Sequence, residues 1–258
     1  MKKKTGRKIV GILILLIGLG LIGTAAYKIF AIQNDYKRSN KEYAVLNADY
    51  LKENPDADKW YELATIDLDQ VREINRDVIG WIYFENEDIS YPILYSGDDT
   101  TYLRKTLTGT SATAGSIFLE GKNNPNLQDA HSIIYGHNMK NLSMFGKLKF
   151  YNRDEEYYDK HRYFQIFTDD AVYRYEIFAY GTVDEYDEIY SVWHESGDGF
   201  AEFIDKIYKK SMRVTNVEAT KEDKLVTLST CSTSGDDYRF VVNAVITDAH
   251  SFKGEEEV

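Results

Sequence analysis

The sequence predicts a mainly β domain, a barrel or a curled sheet, with one helix inserted before the last two strands. Aromatic and β-branched residues recur in short alternating runs, a pattern typical of strands. Tyrosine is common, with 21 residues, and proline is rare, with 3. Hydrophobic residues make up 43% of the chain and charged residues 28%, so we expect a globular domain with a real core.

The N-terminal part predicts a membrane anchor. Residues 9–32 are almost wholly apolar, with Lys28 as their only charge, and about 20 such residues span a bilayer as a helix. Residues 1–8 carry a basic cluster, which by the positive-inside rule keeps this tail in the cytoplasm. We therefore expect a single-pass protein of the cell membrane whose main domain is extracellular.

A cleaved signal peptide is the alternative interpretation of this segment. Thr24, Ala25 and Ala26 are small residues near a plausible cleavage site. However, the apolar run is longer than the apolar core of a typical signal peptide and continues through Phe30 and Ile32, which favours an uncleaved anchor. Under both interpretations the remainder of the chain is exported.

Residues 33–76 are polar and favour helices, which indicates a stalk with N-terminal helices packed on the main domain. Asn54 and Pro55 interrupt the first helical pattern. Asp67 is a good N-cap for a second, short helix that continues through Ile74.

Residues 77–253 are expected to form the main domain. The predicted helix at residues 199–211 places Phe200, Phe203, Ile204 and Ile207 on one face. The predicted strands include residues 78–84, 89–95, 115–120, 132–135, 163–167, 172–183, 224–231 and 239–247.

The charge of the chain argues against nucleic acid as a partner. The formal net charge is -11, and the main body is still more acidic because basic residues are concentrated in residues 1–8. Phosphate binding requires clustered lysine and arginine. The sequence also lacks HExxH, CxxC, P-loop and dinucleotide motifs, so we expect neither a metal nor a cofactor.

Three segments contain residues that can carry chemistry together. His137 follows a strand in YGHNM, and Cys231 ends a strand in TLSTC. Arg239 opens the final strand, and it can face the same cleft as Cys231 if these two strands are antiparallel neighbours. Each residue alone has a simpler explanation, as a turn histidine, a small buried side chain or a solvated charge.

Taken together, these residue types suit nucleophilic catalysis. Cys231 is the only cysteine, so no intrachain disulfide can form, and an unpaired thiol in an exported protein is a candidate nucleophile. A nearby protonated histidine stabilises the thiolate. A guanidinium can bind the substrate carbonyl or the oxyanion that forms from it.

TLSTC, with His137 upstream and Arg239 downstream, resembles the signature of the sortase family. The similarity extends over roughly residues 75–247 and includes the GWI, YPI and GSIF segments. The N-terminal helices and the helix between the late strands resemble class B sortases. The resemblance implies an eight-stranded β-barrel. Glu120 departs from the family pattern, in which this position is often aspartate.

The resemblance also implies a two-step transpeptidation. The Cys231 thiolate attacks a backbone carbonyl in the C-terminal sorting motif of an exported protein, and an amine resolves the thioester. His137 is then the general acid/base and Arg239 the stabiliser of the oxyanion or substrate. Four residues align with substrate-groove positions, where barrel packing is an equally good explanation: Leu103, Tyr135, Ser229 and Thr230.

Three alternatives remain beside an enzyme that anchors proteins to a peptidoglycan precursor. A pilin-polymerising sortase would use a pilin lysine as its amine. A secreted cysteine protease would pass the thioester to water, but its usual helper is an asparagine or aspartate that orients the histidine. A non-enzymatic adhesin would need neither the thiol nor the arginine.

Overall fold

The computed structural model describes residues 2–231 and 237–252, with the side chains of residues 11–230 and 237–252. Met1 and residue 253, which begin and end predicted segments, lie outside the described residues. The helices are α1 (Lys2–Tyr50), α2 (Leu68–Ile74), α3 (Tyr157–Lys160) and α4 (Phe200–Lys210). Three short 3₁₀ helices cover Trp60–Glu62, Leu148–Asn152 and Glu188–Tyr190.

Eight strands close into a barrel. The described strands are β1 (Leu51–Glu53), β2 (Ala64–Ile66), β3 (Val78–Phe84), β4 (Ser90–Leu94), β5 (Ile117–Leu119), β6 (His131–His137), β7 (Tyr163–Phe167), β8 (Ala171–Asp184), β9 (Leu225–Cys231) and β10 (Tyr238–Ser251). The spatial order in the barrel is β10-β8-β7-β3-β4-β5-β6-β9, and β1 pairs separately with β2. The predicted eight-stranded barrel with N-terminal helices is confirmed.

Each predicted strand forms one strand of the barrel, because its apolar side chains become buried in the hydrophobic core. In β3 the side chains on both faces are mostly buried. Trp81 is fully buried there, and its indole N–H donates to Ser90 Oγ on β4 at 2.8 Å. A buried indole needs such a partner for its N–H.

Helix α4 lies between β8 and β9 in the chain, so the predicted helix before the last two strands is confirmed. Its predicted apolar face is the face that is buried, with Phe200, Phe203, Ile204 and Ile207 all inside. These side chains form a second hydrophobic cluster against barrel residues that include Phe178.

Helix α1 is continuous through Tyr50, so the predicted anchor and the first part of the predicted stalk belong to one helix. No glycine or proline occurs between residue 24 and residue 53, so nothing in the sequence breaks the helix before Pro55. Tyr43 and Leu46, near the end of α1, are buried against the barrel. The predicted second helix is present as α2, and the Asp67 side chain accepts from Gln70 N at 3.0 Å.

The buried residue His131 connects the two strands that lead to the candidate site. Its Nε2 lies 2.7 Å from Thr227 Oγ1 on β9, and its Nδ1 lies 2.8 Å from the Ser191 carbonyl oxygen. Burial lowers the pKa of His131 to about 4, so the ring is neutral at neutral pH. The His131–Thr227 contact therefore links β6 to β9 without a buried charge.

Candidate active site

The ends of β6 and β9 bring two of the predicted catalytic residues together. These strands are parallel neighbours, and their register aligns His137 with Cys231. Neighbouring strands lie about 4.8 Å apart, so the two backbones are adjacent where both strands end. The Cys231 side chain lies outside the described residues.

Gly136 allows β6 to approach the loop that follows it. A Cβ at this position would contact Ile117 and would lie within 2.6 Å of Phe145 Cδ2. Only a residue without a side chain fits there unless the core moves. Phe145 N also donates to the His137 carbonyl oxygen at 3.1 Å, which ties the end of β6 to this loop.

The imidazole of His137 is buried, with 4% of the residue exposed. Its Nε2 lies 2.7 Å from the carbonyl oxygen of Leu103. A carbonyl oxygen can only accept, so Nε2 carries a hydrogen and donates it. This contact fixes the orientation of the imidazole ring.

Arg239 is the second residue of β10, which lies on the other side of β9. In the antiparallel ladder between these strands, Val241 pairs with Ser229. Arg239 lies two residues before Val241, and Cys231 lies two residues after Ser229, so both lie at the same end of the ladder. Beyond the ladder, Thr230 Oγ1 accepts from Phe240 N at 3.1 Å. Cys231 and Arg239 could face one cleft only if their strands were antiparallel neighbours, and the strands have that arrangement.

The guanidinium of Arg239 is held by a carboxylate. Its Nη2 lies 2.7 Å from Glu185 Oε2, and its Nη1 donates to the Tyr238 carbonyl oxygen at 3.0 Å. The Arg239 side chain is 16% exposed, and that of Glu185 is 30% exposed. A guanidinium held in this way presents its remaining N–H groups with little freedom.

A cleft of about 320 Å³ joins these elements. The predicted residues Leu103, Tyr135, Ser229, Thr230 and Arg239 all line it. His137 is not among the lining residues, but it contacts the carbonyl oxygen of Leu103, which is one of them. The structure therefore brings all seven predicted site residues into one region, with Cys231 placed by its backbone alone.

The cleft also contains polar residues that the sequence analysis did not assign to the site. They are Asp99, Glu120, Lys122, Glu185 and Tyr190. Among them, only Glu120 stood out in the sequence, as a departure from the family pattern at a strand end. The others come from loops and distant strand ends whose proximity depends on the closed barrel.

Two of these residues connect the predicted groove residues to one another. Tyr190 Oη lies 2.9 Å from Ser229 Oγ, and the Tyr135 hydroxyl donates to Glu120 Oε2 at 2.7 Å. The rings of Tyr135 and Tyr190 are stacked, with centroids 6.3 Å apart. This wall of the cleft is therefore aromatic with hydroxyl groups already oriented.

Burial raises the pKa of the Glu120 carboxyl, and the nearby negative charge of Asp99 raises it further. Burial and the Glu120 charge in turn raise the pKa of the Tyr135 hydroxyl, which stays protonated as a donor. Among the side chains that the structure describes, no group of three or more His, Cys, Asp and Glu is arranged to hold a metal ion.

Comparison with known proteins identifies the family. The sortase domain family model matches residues 82–247. The sortase B of Listeria monocytogenes is 36% identical over 171 residues, which cover 66% of this chain and 69% of the relative. The sortase B of Staphylococcus aureus is 28% identical over 165 residues, covering 64% of this chain and 67% of the relative.

Solved structures agree with this result. A sortase B from Bacillus anthracis has a TM-score of 0.70 and 30% identity, covering 83% of this chain and 99% of the solved one. A sortase B–substrate complex from Staphylococcus aureus has a TM-score of 0.65 and 27% identity, covering 69% of this chain and 83% of the solved one. This chain therefore belongs to the sortase family, and its relatives are class B sortases.

Proposed function

We propose that this chain is a membrane-anchored cysteine transpeptidase that attaches exported proteins to a cell-wall amine. Sortase relatives imply a cysteine transpeptidase in general terms. The observation that carries the assignment for this chain is the alignment of His137 with Cys231 at the ends of parallel strands. Arg239 lies near the start of the neighbouring antiparallel strand and lines the adjoining cleft.

In the first half-reaction the Cys231 thiolate attacks the scissile carbonyl carbon of the bound sorting motif. A carbon–sulfur bond forms, and the carbonyl oxygen becomes an oxyanion that the Arg239 guanidinium stabilises. The carbon–nitrogen bond then breaks, and protonated His137 gives its proton to the leaving amine. A thioester to Cys231 remains, and the C-terminal fragment departs.

In the second half-reaction an acceptor amine attacks the thioester carbonyl. Neutral His137 takes the proton that the amine loses, and the carbon–sulfur bond breaks to release the Cys231 thiolate. The product contains a new amide bond. The enzyme returns to its starting protonation state, so no oxidant or external cofactor is required.

The relatives support a proposal for the substrate class. One solved relative is a sortase B–substrate complex, which supports a peptide in the equivalent groove here. The groove of this chain offers the hydroxyl groups of Tyr135 and Tyr190 and the side chains of Leu103 and Thr230. We propose that these residues bind the sorting motif, and that the acceptor is an amine of a peptidoglycan precursor.

An amine-transfer experiment distinguishes this function from that of a secreted cysteine protease. The exported domain is incubated with a library of sorting-type peptides, with and without candidate cell-wall amines. We expect the amine to raise the yield of ligated product and to lower the yield of hydrolysed peptide, because both nucleophiles compete for one thioester. Mass spectrometry measures both products.

The matched control is the same amine with its nitrogen acetylated, which cannot attack the thioester. Rapid cleavage with no incorporation of any tested amine would favour the protease. Transfer to a pilin lysine in preference to cell-wall amines would favour the pilin-polymerising alternative.

We also propose that α1 anchors the protein with residues 1–8 in the cytoplasm and the barrel outside the cell. Among the described residues, the part of this helix from Gly11 contains a segment long and apolar enough to cross a membrane, although a signal sequence has the same properties. With a rise of about 1.5 Å per residue, Asp35 lies about 5 Å beyond Ile32, at the end of the apolar segment. Asp35 already contacts the barrel, since its Oδ2 accepts from Thr113 N at 2.9 Å.

This arrangement predicts the outcome of proteolysis on intact protoplasts. Protease added outside should degrade the barrel domain, and a tag placed before residue 2 should survive until lysis. Immunoblotting of tags at both ends measures the two outcomes. A barrel that is protected until lysis would refute the proposed orientation, and release of the domain into the medium would favour a cleaved signal peptide.

A further inference from the structure

The carbonyl group that orients His137 does not belong to a barrel strand. Leu103 lies in the irregular segment of residues 95–116, between β4 and β5. The position of its carbonyl therefore depends on whatever holds this segment in place, because loops are the more mobile parts of a fold. The contacts of residues 95–116 determine how firmly the imidazole is oriented.

The C-terminal end of this segment packs on its middle. Ser116 N donates to the Tyr102 carbonyl oxygen at 3.0 Å, and Ser116 Oγ donates to the Lys105 carbonyl oxygen at 2.7 Å. Gly115 has a φ of +57°, and a Cβ there would lie 2.6 Å from the carbonyl oxygen of Leu103. The backbone at Gly115 thus lies directly against the carbonyl that holds His137.

Helix α1 holds the later part of the segment. Four side chains of α1 bond to backbone groups of residues 108–115: Arg38 Nη2 to Ser111 O at 2.7 Å, Tyr43 Oη to Gly115 O at 2.8 Å, Asp35 Oδ2 from Thr113 N at 2.9 Å, and Glu42 Oε1 from Thr108 N at 3.1 Å. All four belong to the part of the helix that follows the apolar segment.

Tyr43 is the buried member of this group, with 5% of the residue exposed. Its ring packs edge-on against Tyr91, with centroids 5.2 Å apart. Burial raises the pKa of the Tyr43 hydroxyl, so it remains a protonated donor to Gly115. A hydrogen bond shielded from water in this way contributes more than an exposed one.

We propose that Tyr43 is a positioning residue for His137, acting through the backbone of Gly115 and the carbonyl of Leu103. This inference rests on the proposed role of His137 as general acid/base. The helix that carries the apolar segment is then also part of the support of the active site. Its function extends beyond attachment to the membrane, because the orientation of the imidazole depends on its contacts.

The test compares two tyrosines on the same helix. Tyr43→Phe removes the hydroxyl that bonds to Gly115 and keeps the ring in place. Tyr36→Phe is the matched control, because Tyr36 also packs against the core, and its hydroxyl forms no hydrogen bond within the part of the chain that the structure describes. The full-length protein in detergent is used for both variants, since α1 is intact in it.

Two readouts are measured. The first is kcat on a fluorogenic sorting peptide, which we expect to fall about three- to tenfold in Tyr43→Phe, the effect of one neutral hydrogen bond. The second is the pH dependence of iodoacetamide alkylation of Cys231, the only thiol in the chain. A less firmly oriented His137 stabilises the thiolate less, so the curve should move to higher pH. Tyr36→Phe should leave both readouts at wild-type values.

Wild-type values of both readouts in Tyr43→Phe would overturn the proposal, and so would equal losses in the two variants. If Tyr43→Phe fails to fold in a thermal melt, Asp35→Asn replaces it, with a smaller shift expected in the same direction. The alkylation curve needs no substrate. A wild-type protein that transfers no peptide would therefore refute the proposed function separately, while this test could still be carried out.

Discussion

Replacing Cys231 with alanine should abolish peptide transfer and leave the barrel folded. Cys231 is the only cysteine of the chain, so no other thiol can form the acyl-enzyme. Removal of a covalent nucleophile costs roughly 10⁶-fold in rate where it has been measured in other enzymes. Alanine keeps the backbone groups through which β9 pairs with β6, so the barrel should stay closed.

The measurement is mass spectrometry of the intact protein after incubation with a sorting peptide. Wild-type protein should gain an adduct that hydroxylamine removes, since hydroxylamine cleaves thioesters, and Cys231→Ala should gain none. Wild-type protein alkylated with iodoacetamide is the matched control, because it keeps the backbone and loses only the free thiol. Normal turnover by the alanine variant would eliminate thiol chemistry.

The barrel strands could be predicted from the sequence because each contains its own signal. The run at residues 163–167 became β7 without change, and the helix at residues 199–211 buried the face that its spacing predicted. Such local patterns depend on the neighbours of each residue and on the presence of a core. Local patterns do not determine which strands become neighbours in the sheet.

The proximity of His137 and Cys231 depends on that missing information. They belong to strands that are distant in the chain, and these strands become parallel neighbours only when the barrel closes. Their chemistry and the family signature predicted that they lie together, and no local pattern required it. Glu185 was missed for the same reason, since its contact with Arg239 depends on the pairing of β8 with β10.

The contact of Leu103 with His137 also could not be predicted from the sequence. Alignment with the family suggested a groove position, and Leu103 does line the cleft. Its contact with His137, however, uses the backbone carbonyl, which every residue type possesses. No substitution pattern in the sequence would distinguish that carbonyl from its neighbours, so only the folded chain identifies it.

The second large effect is expected at Arg239, where two explanations make different predictions. If the guanidinium serves only to pair with Glu185, lysine keeps the charge and activity should change little. If the guanidinium also binds the substrate carbonyl or the oxyanion, its planar fork is required and lysine cannot replace it. We expect Arg239→Lys to lower kcat/KM strongly and Arg239→Ala to lower it by about 10²–10³, the typical cost of losing one oxyanion donor.

Two further variants distinguish the role of the planar guanidinium of Arg239 from the role of its ion pair with Glu185. Glu185→Gln keeps a hydrogen-bond acceptor beside Arg239 but removes the charge, so we expect a smaller loss than in Arg239→Ala. Arg213→Lys is the matched control, because Arg213 also pairs with a carboxylate, Asp159 at 2.9 Å, and lies outside the cleft. It should have wild-type kcat/KM. Thermal melts measure whether each variant is folded. We expect all of them to fold, because the partly exposed pair of Arg239 and Glu185 contributes little to stability. A folded Arg239→Ala protein with near-wild-type kcat/KM would remove Arg239 from the mechanism and leave Cys231 and His137 to act as a pair.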